Sequence, residues 1–109
     1  MKMISFVIPC YRSGETLPGV VKEIRDTMGK LNGYAYEIVL VNDCSPDDTF
    51  EVIKKLCGEN NNITGISLAK NFGQHGALMA GFHYAKGDIT ICLDDDGQTP
   101  AEEAGKLIE

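Results

Sequence analysis

At 109 residues the chain has room for one small domain, and its 43% hydrophobic and 24% charged residues exclude a disordered or low-complexity protein. A formal net charge of −6 argues against a nucleic-acid partner, because an acidic surface repels phosphate backbones over long range. The same charge means that any phosphate-bearing ligand requires a local cation to offset it.

The apolar pattern alternates between two periods along the chain. Ile4 to Ile8 is a short apolar run ended by Pro9, as expected of a strand buried on both faces. From Ser13 the pattern turns helical, with Leu17, Val20, Val21, Ile24 and Met28 recurring at three and four, and Gly29 and Gly33 mark its end. Ile38 to Val41 predicts a second strand, stopped by Asn42-Asp43. Ser45-Pro46-Asp47-Asp48 is a helix-start signal, followed by the stripe Phe50, Ile53 and Leu56 and closed by Cys57-Gly58. Ile63 to Leu68 predicts a third strand. Gly73 to Tyr84 predicts a small-residue helix with Ala77, Ala80, Gly81 and Tyr84 on one face. After the turn Lys86-Gly87-Asp88, Ile89 to Leu93 predicts a fourth strand, Asp94 to Thr99 a polar loop, and Pro100 a last helix through Ala104, Leu107 and Ile108. Strands alternating with helices predict an α/β fold with a mostly parallel sheet of about four strands and right-handed crossovers.

The four cysteines, Cys10, Cys44, Cys57 and Cys92, are widely spaced and form no CxxC pair. They read as buried free thiols of a reducing cytosol rather than a zinc site. Met1-Lys2-Met3 leads directly into the first strand, without the apolar core of a signal peptide. No apolar run approaches the roughly 20 residues that span a bilayer. A cytoplasmic chain is therefore expected.

In open parallel sheets, ligands bind beyond the carboxyl ends of the strands. The residues that follow the four predicted strands are Pro9-Cys10-Tyr11-Arg12, Asn42-Asp43-Cys44-Ser45, Lys70-Asn71-Phe72-Gly73 and Asp94-Asp95-Asp96-Gly97-Gln98. All four polar clusters would converge on one edge. The Asp94-Asp95-Asp96 run is the sharpest of them, since adjacent like charges contribute nothing to folding. Carboxylates are hard oxygen ligands, so Asp94 and Asp96 point to Mg²⁺ or Mn²⁺; a solvated acidic turn is the alternative. Asp43 has two readings, acceptor of an N–H on a base edge or cap of the helix near Pro46. Tyr11 either stacks on a base or packs locally, and Lys70 either pairs with a phosphate or is solvated. There is no Walker loop, GxGxxG fingerprint or serine nucleophile elbow.

With these motifs assembled, the chain resembles family 2 glycosyltransferases, in particular those that act on polyprenyl phosphates. The resemblance is carried by Phe6-Val7-Ile8-Pro9-Cys10-Tyr11, Glu37 to Ser45, Leu68 to His75 and Leu93 to Pro100. It implies a Rossmann-like nucleotide-binding half of the GT-A type over residues 1–109. It also implies a UDP- or GDP-linked sugar donor and a lipid-phosphate or glycan acceptor. By position, Pro9, Tyr11 and Glu15 resemble the first nucleotide-binding loop, Asp43 the acid that reads the base, and Lys70 a basic residue near the diphosphate. Asp94 and Asp96 resemble the DxD pair, with Asp95 between them at the nucleotide. Asp96 is then the catalytic residue, on the metal and the diphosphate, and Gln98 matches a further metal ligand of the polyprenyl-phosphate branch. The chain departs from the family's usual Asp-Asp-Gly-Ser at Asn42 and Cys44, and carries Arg12 where the family commonly has Asn.

The resemblance further implies a chain that stops before the acceptor loop and any catalytic base. In this branch the whole protein often carries membrane helices, which would hold it at the cytoplasmic face of the cell membrane. A receiver-like signalling domain and a nucleotidyltransferase share the α/β architecture. A receiver, however, needs acidic residues after strand one, where Pro9-Cys10 stand, and a nucleotidyltransferase needs a glycine-rich basic loop there.

Overall fold

The computed structural model of the protein describes residues 2–31, 33–70 and 73–93. Its elements run β1 (Lys2–Cys10), α1 (Leu17–Gly29), β2 (Tyr34–Asn42), α2 (Thr49–Glu59), β3 (Ile63–Ser67), α3 (Gly73–Tyr84) and β4 (Ile89–Cys92). The four strands form one parallel sheet in the order β3-β2-β1-β4. The α/β order and the parallel sheet read from the sequence are therefore observed. The expected Asp94–Thr99 loop and last helix lie outside the described residues.

The two periods of the sequence map onto two faces of the sheet. Ile4, Phe6 and Ile8 of β1, with Ile38 and Leu40 of β2, meet the stripe Leu17, Val20, Val21, Ile24 and Met28 of α1 and Ile53 and Leu56 of α2. Val7, Val39 and Val41 face the other way, onto Ala77 of α3. This two-sided burial is why β1 and β2 read as continuous apolar runs. Each fully buried Ile, Leu or Val contributes about 1.5–3 kcal/mol, so these central strands form the folding core.

Boundaries differ from the sequence reading where side chains capture the backbone. α1 starts at Leu17 rather than Ser13: the Ser13 N–H donates to Thr49 Oγ1 (3.0 Å) and its carbonyl accepts from Thr16 Oγ1 (3.1 Å), which holds residues 13–16 in a turn before the helix. α2 starts at Thr49 rather than at Ser45-Pro46, because Ser45 and Asp47 are engaged in the loop before it. Tyr84, grouped with Ala77, Ala80 and Gly81 on one face of α3, is 52% exposed whereas Ala77 is buried; it lies in the last turn of the helix, where the chain leaves the sheet. The cysteines are all free, but only Cys10 is buried, while Cys44 and Cys92 are exposed. Cys92 pairs with Val7 in register and so faces the α3 side, but among the described residues α3 packs mainly over β1 and β2.

At the opposite edge from the strand ends read as the site, Glu37 anchors the α3–β4 turn. Its carboxylate accepts from Ser5 Oγ (2.5 Å) and Lys86 N (2.6 Å), and Gly87 N donates to Ser5 Oγ (2.7 Å). These bonds set where β4 begins, and so where it ends beside β1.

Gly81 brings α3 close to the sheet. A Cβ there would lie 2.3 Å from Val7 Cγ1 and 3.2 Å from Val41 Cγ2, both on stiff β-branched side chains. Helix propensity favours alanine over glycine by about 1 kcal/mol, but overpacking of this kind costs about 1–3 kcal/mol and is felt by two buried residues. Gly81→Ala is therefore expected to lower the urea unfolding midpoint, and a raised midpoint would contradict this packing.

Candidate functional site

The crossovers determine where a ligand can sit. β1 leads to β2 and then β3 on one side, while β4 returns to the other side of β1. The connections diverge between β1 and β4, and a crevice at the carboxyl ends is expected at that switch point. Pro9 marks its mouth. Leu93 N donates to Val7 O (3.1 Å) and Asp43 N to Cys10 O (2.9 Å), so residues 7 and 9 of β1 address β4 while residues 8 and 10 address β2. The N–H that Pro9 lacks is therefore one that β4 would have used, and pairing with β2 continues past it to Cys10 and Asn42.

Four of the five described candidate residues gather at this edge. Pro9 is buried at the end of β1 and Tyr11, 42% exposed, follows it with the Arg12 guanidinium 5.6 Å from its ring centre. Asp43 is 4% exposed, immediately beyond β2. Lys70 is exposed beyond β3, next to Ala69, whose carbonyl accepts from Cys44 Sγ (3.8 Å). Glu15, the fifth, lies farther along in the exposed turn before α1. The expectations for Asp94, Asp95, Asp96 and Gln98 fall outside the described residues. Among the described residues, no group of three His, Cys, Asp or Glu is arranged to hold a metal ion.

The helix expected near Pro46 begins at Thr49, whose N donates to Asp47 Oδ1 (3.1 Å). The same oxygen accepts from Ser45 Oγ and Thr49 Oγ1, each at 2.5 Å. These hydroxyls in turn accept from the loop after β1: Arg12 N donates to Ser45 Oγ (2.9 Å) and Ser13 N to Thr49 Oγ1 (3.0 Å). Asn42 ties the loop to β3, accepting from Ser45 N (3.1 Å) and donating from Nδ2 to Ser67 Oγ (3.2 Å). An amide serves as donor and acceptor at once, which a carboxylate does not. The Ser-x-Asp-x-Thr spacing at 45, 47 and 49 was the available sequence signal for this network, as short hydroxyl and carboxylate side chains at every second position favour turns over helix. Ser13 Oγ is buried there and has no hydrogen-bond partner among the described residues.

Arg12 (φ 52°) and Cys44 (φ 56°) are the non-glycine residues with left-handed backbone among those described. They are also two of the positions where the resemblance stated above implies a different residue, Asn at 12 and Gly at 44. Asn and Gly tolerate this conformation; other residues lose about 1–2 kcal/mol in it.

Fold and site define a class: a doubly wound α/β domain with its polar loops at a sheet switch point. The chain belongs to glycosyl transferase family 2, whose model matches residues 5–109. It is 39% identical over 110 residues to an undecaprenyl-phosphate 4-deoxy-4-formamido-L-arabinose transferase of Aeromonas hydrophila, covering 100% of this chain and 33% of that protein. A transferase of the same name from Yersinia pestis is 40% identical over 109 residues, 99% of this chain and 33% of its own. The chain thus spans about a third of the length of the curated relatives it matches. Among solved structures, the mannosyltransferase PcManGT of Pyrobaculum calidifontis, in complex with GDP-Man and Mn²⁺, superposes with a TM-score of 0.79 at 19% identity, over 96% of this chain and 31% of that one. S. aureus TarS 1-349 in complex with UDP superposes with a TM-score of 0.68 at 25% identity, over 88% of this chain and 28% of that one. Family membership sets aside the receiver-like and nucleotidyltransferase alternatives.

Two outcomes are expected. Cys44→Gly relieves the left-handed strain but loosens the unfolded chain and loses the contact to Ala69, so thermal or urea unfolding should show a net gain of about 0.5–1 kcal/mol, whereas Cys44→Val should show a loss. The hydrogen bonds from Ser45 and Thr49 hold the Asp47 carboxyl below its ordinary value of 3.8. A lowered folded value stabilises the protein above the unfolded value and is lost as pH falls through the folded one. Unfolding stability measured from pH 6 downward should therefore decline below about pH 4 less steeply in Asp47→Asn than in the native chain.

Proposed function

We propose that this chain is the donor-binding part of an inverting, metal-dependent glycosyltransferase that moves a sugar from a UDP- or GDP-linked donor to a polyprenyl phosphate or a cell-envelope glycan. The observation that carries the reading is a nearly buried carboxylate, Asp43, at the carboxyl edge of the sheet, beside Tyr11 and Lys70 and next to the β1–β4 switch point. A carboxylate accepts hydrogen bonds, and an N–H on a base edge is a suitable donor to one. The names of the relatives favour a polyprenyl-phosphate acceptor over a glycan.

In this reading Asp43 accepts from the base, Tyr11 offers its ring to the nucleoside, Pro9 and Glu15 shape the first loop, and Lys70 places a positive charge near the diphosphate. Asp94, Asp96 and Gln98 supply two carboxylates and an amide oxygen, a donor set that fits Mg²⁺ or Mn²⁺, with Asp95 at the nucleotide. When bound, such an ion supplies Lewis-acid stabilisation of the leaving diphosphate. An acceptor phosphate oxygen attacks the anomeric carbon from the face opposite the diphosphate. The bond from that carbon to the diphosphate oxygen breaks, and configuration inverts. A lipid phosphate is already anionic and needs no base; a hydroxyl acceptor would need a carboxylate from elsewhere in the protein. Among the described residues no helix is long and apolar enough to cross a membrane, so attachment at the cytoplasmic face would rest on other segments.

Titration calorimetry with UDP and GDP, with and without Mn²⁺, tests the reading. One nucleotide should bind with heat that depends on Mn²⁺. Asp96→Ala should abolish the metal-dependent part with the circular dichroism spectrum unchanged. Asp43→Ala should weaken binding by about tenfold or more, the size of one charged hydrogen bond. Equal or absent heats across all four conditions would reject the proposal.

A further inference from the structure

We infer that Asp47 is a positioning residue for the nucleotide site, its carboxylate acting through Ser45 and Thr49 to hold the β1–α1 loop against the β2–α2 loop. The inference rests on the nucleotide reading above, and goes beyond it by assigning a role to a residue outside the ligand-facing set.

The argument is one of proton order. Each hydroxyl has a single hydrogen and can also accept. Ser45 Oγ and Thr49 Oγ1 both direct that hydrogen to Asp47 Oδ1, each at 2.5 Å. Their lone pairs are thereby committed to accepting, and what they accept are the amides of Arg12 (2.9 Å) and Ser13 (3.0 Å). A charged acceptor strengthens the first bonds and polarises the hydroxyls, which strengthens the second. Thr49 is fully buried and Ser13 nearly so, which keeps water from replacing this half of the network. The amides held in this way belong to the left-handed Arg12 and its neighbour, immediately after Tyr11. A backbone in a disfavoured region persists only when its surroundings over-determine it. Gly14 adds to the same junction, since a Cβ there would lie 2.8 Å from Asp48 Oδ1 and 3.3 Å from Val52 Cγ2. The two loops therefore approach closely, and Asp47 is the charged centre of the bonds between them.

A helix-start role for Asp47, through Thr49 N alone, would affect stability without moving the loop after β1. The experiment separates the two. In Asp47→Ala the amide NMR resonances of Arg12 and Ser13 should shift, and nucleotide affinity with Mn²⁺, for whichever of UDP and GDP the native chain binds, should fall about tenfold. Asp47→Asn retains an acceptor oxygen and should restore the resonances and most of the affinity. In a Ser45→Ala, Thr49→Val background, Asp47→Ala should cost no further affinity. Ser45→Ala alone leaves the buried core untouched and should shift the Arg12 amide even if Asp47→Ala fails to fold. Unmoved amides in Asp47→Ala or Ser45→Ala, native affinity in Asp47→Ala, or a further loss in the double-variant background would each overturn the role of Asp47 while leaving the nucleotide reading intact. Absence of binding by the native chain would overturn the nucleotide reading and, with it, this one.

Discussion

β1 is buried on both faces and paired on both edges, and this constraint governs the molecule. A strand so placed presents almost nothing to solvent except its end, so whatever follows it is delivered to the centre of the sheet's carboxyl edge. Parallel pairing with β2 and β4 brings the ends of those strands to the same edge. Pro9 then ends the availability of hydrogen bonds toward β4 while sparing β2. The candidate site is the consequence of this pairing, since residues distant in sequence emerge side by side because their strands do.

The loops at that edge are held by polar bonds rather than by apolar packing. Ser45 and Thr49, both bonded to Asp47, accept from Arg12 and Ser13, and Asn42 reaches across to β3. A loop fixed in this way keeps a defined shape without an apolar floor, which suits a site for a charged, polar ligand. The left-handed residues Arg12 and Cys44 show that this shape is kept at some conformational cost. At both turns the chain carries a residue less suited to the left-handed region than Gly or Asn would be.

Charge sets a second condition on function. With a net charge of −6, the chain has no general attraction for a nucleoside diphosphate, so affinity has to arise locally. Lys70 is one local cation at the edge, and a divalent ion on oxygen ligands would be the stronger one. Under the proposed function an acidic protein of this kind discriminates by metal and base rather than by bulk attraction, and its binding should be less sensitive to salt than that of a basic protein.

The alternation of strands and helices was legible from apolar periodicity alone, because continuous runs such as Ile4 to Ile8 can be satisfied only by burial on two faces. The buried stripe of α1 and both ends of α3 were legible for the same reason. The convergence of Tyr11, Asp43 and Lys70 was legible as soon as the strands were taken as parallel, since each lies just past an apolar run. Other features depended on three-dimensional neighbours. Whether α2 began at Ser45 or Thr49 depended on Asp47 finding Ser45 and Thr49 in a turn linked to Arg12 and Ser13, 33 and 36 positions away from them. The exposure of Cys92 depended on α3 packing mainly over β1 and β2 among the described residues. Periodicity reports which residues avoid water, and so it determined the elements and their inward faces. Hydrogen bonds between loops and the reach of one helix across a sheet depend on where distant segments meet, and only the tertiary structure decided those.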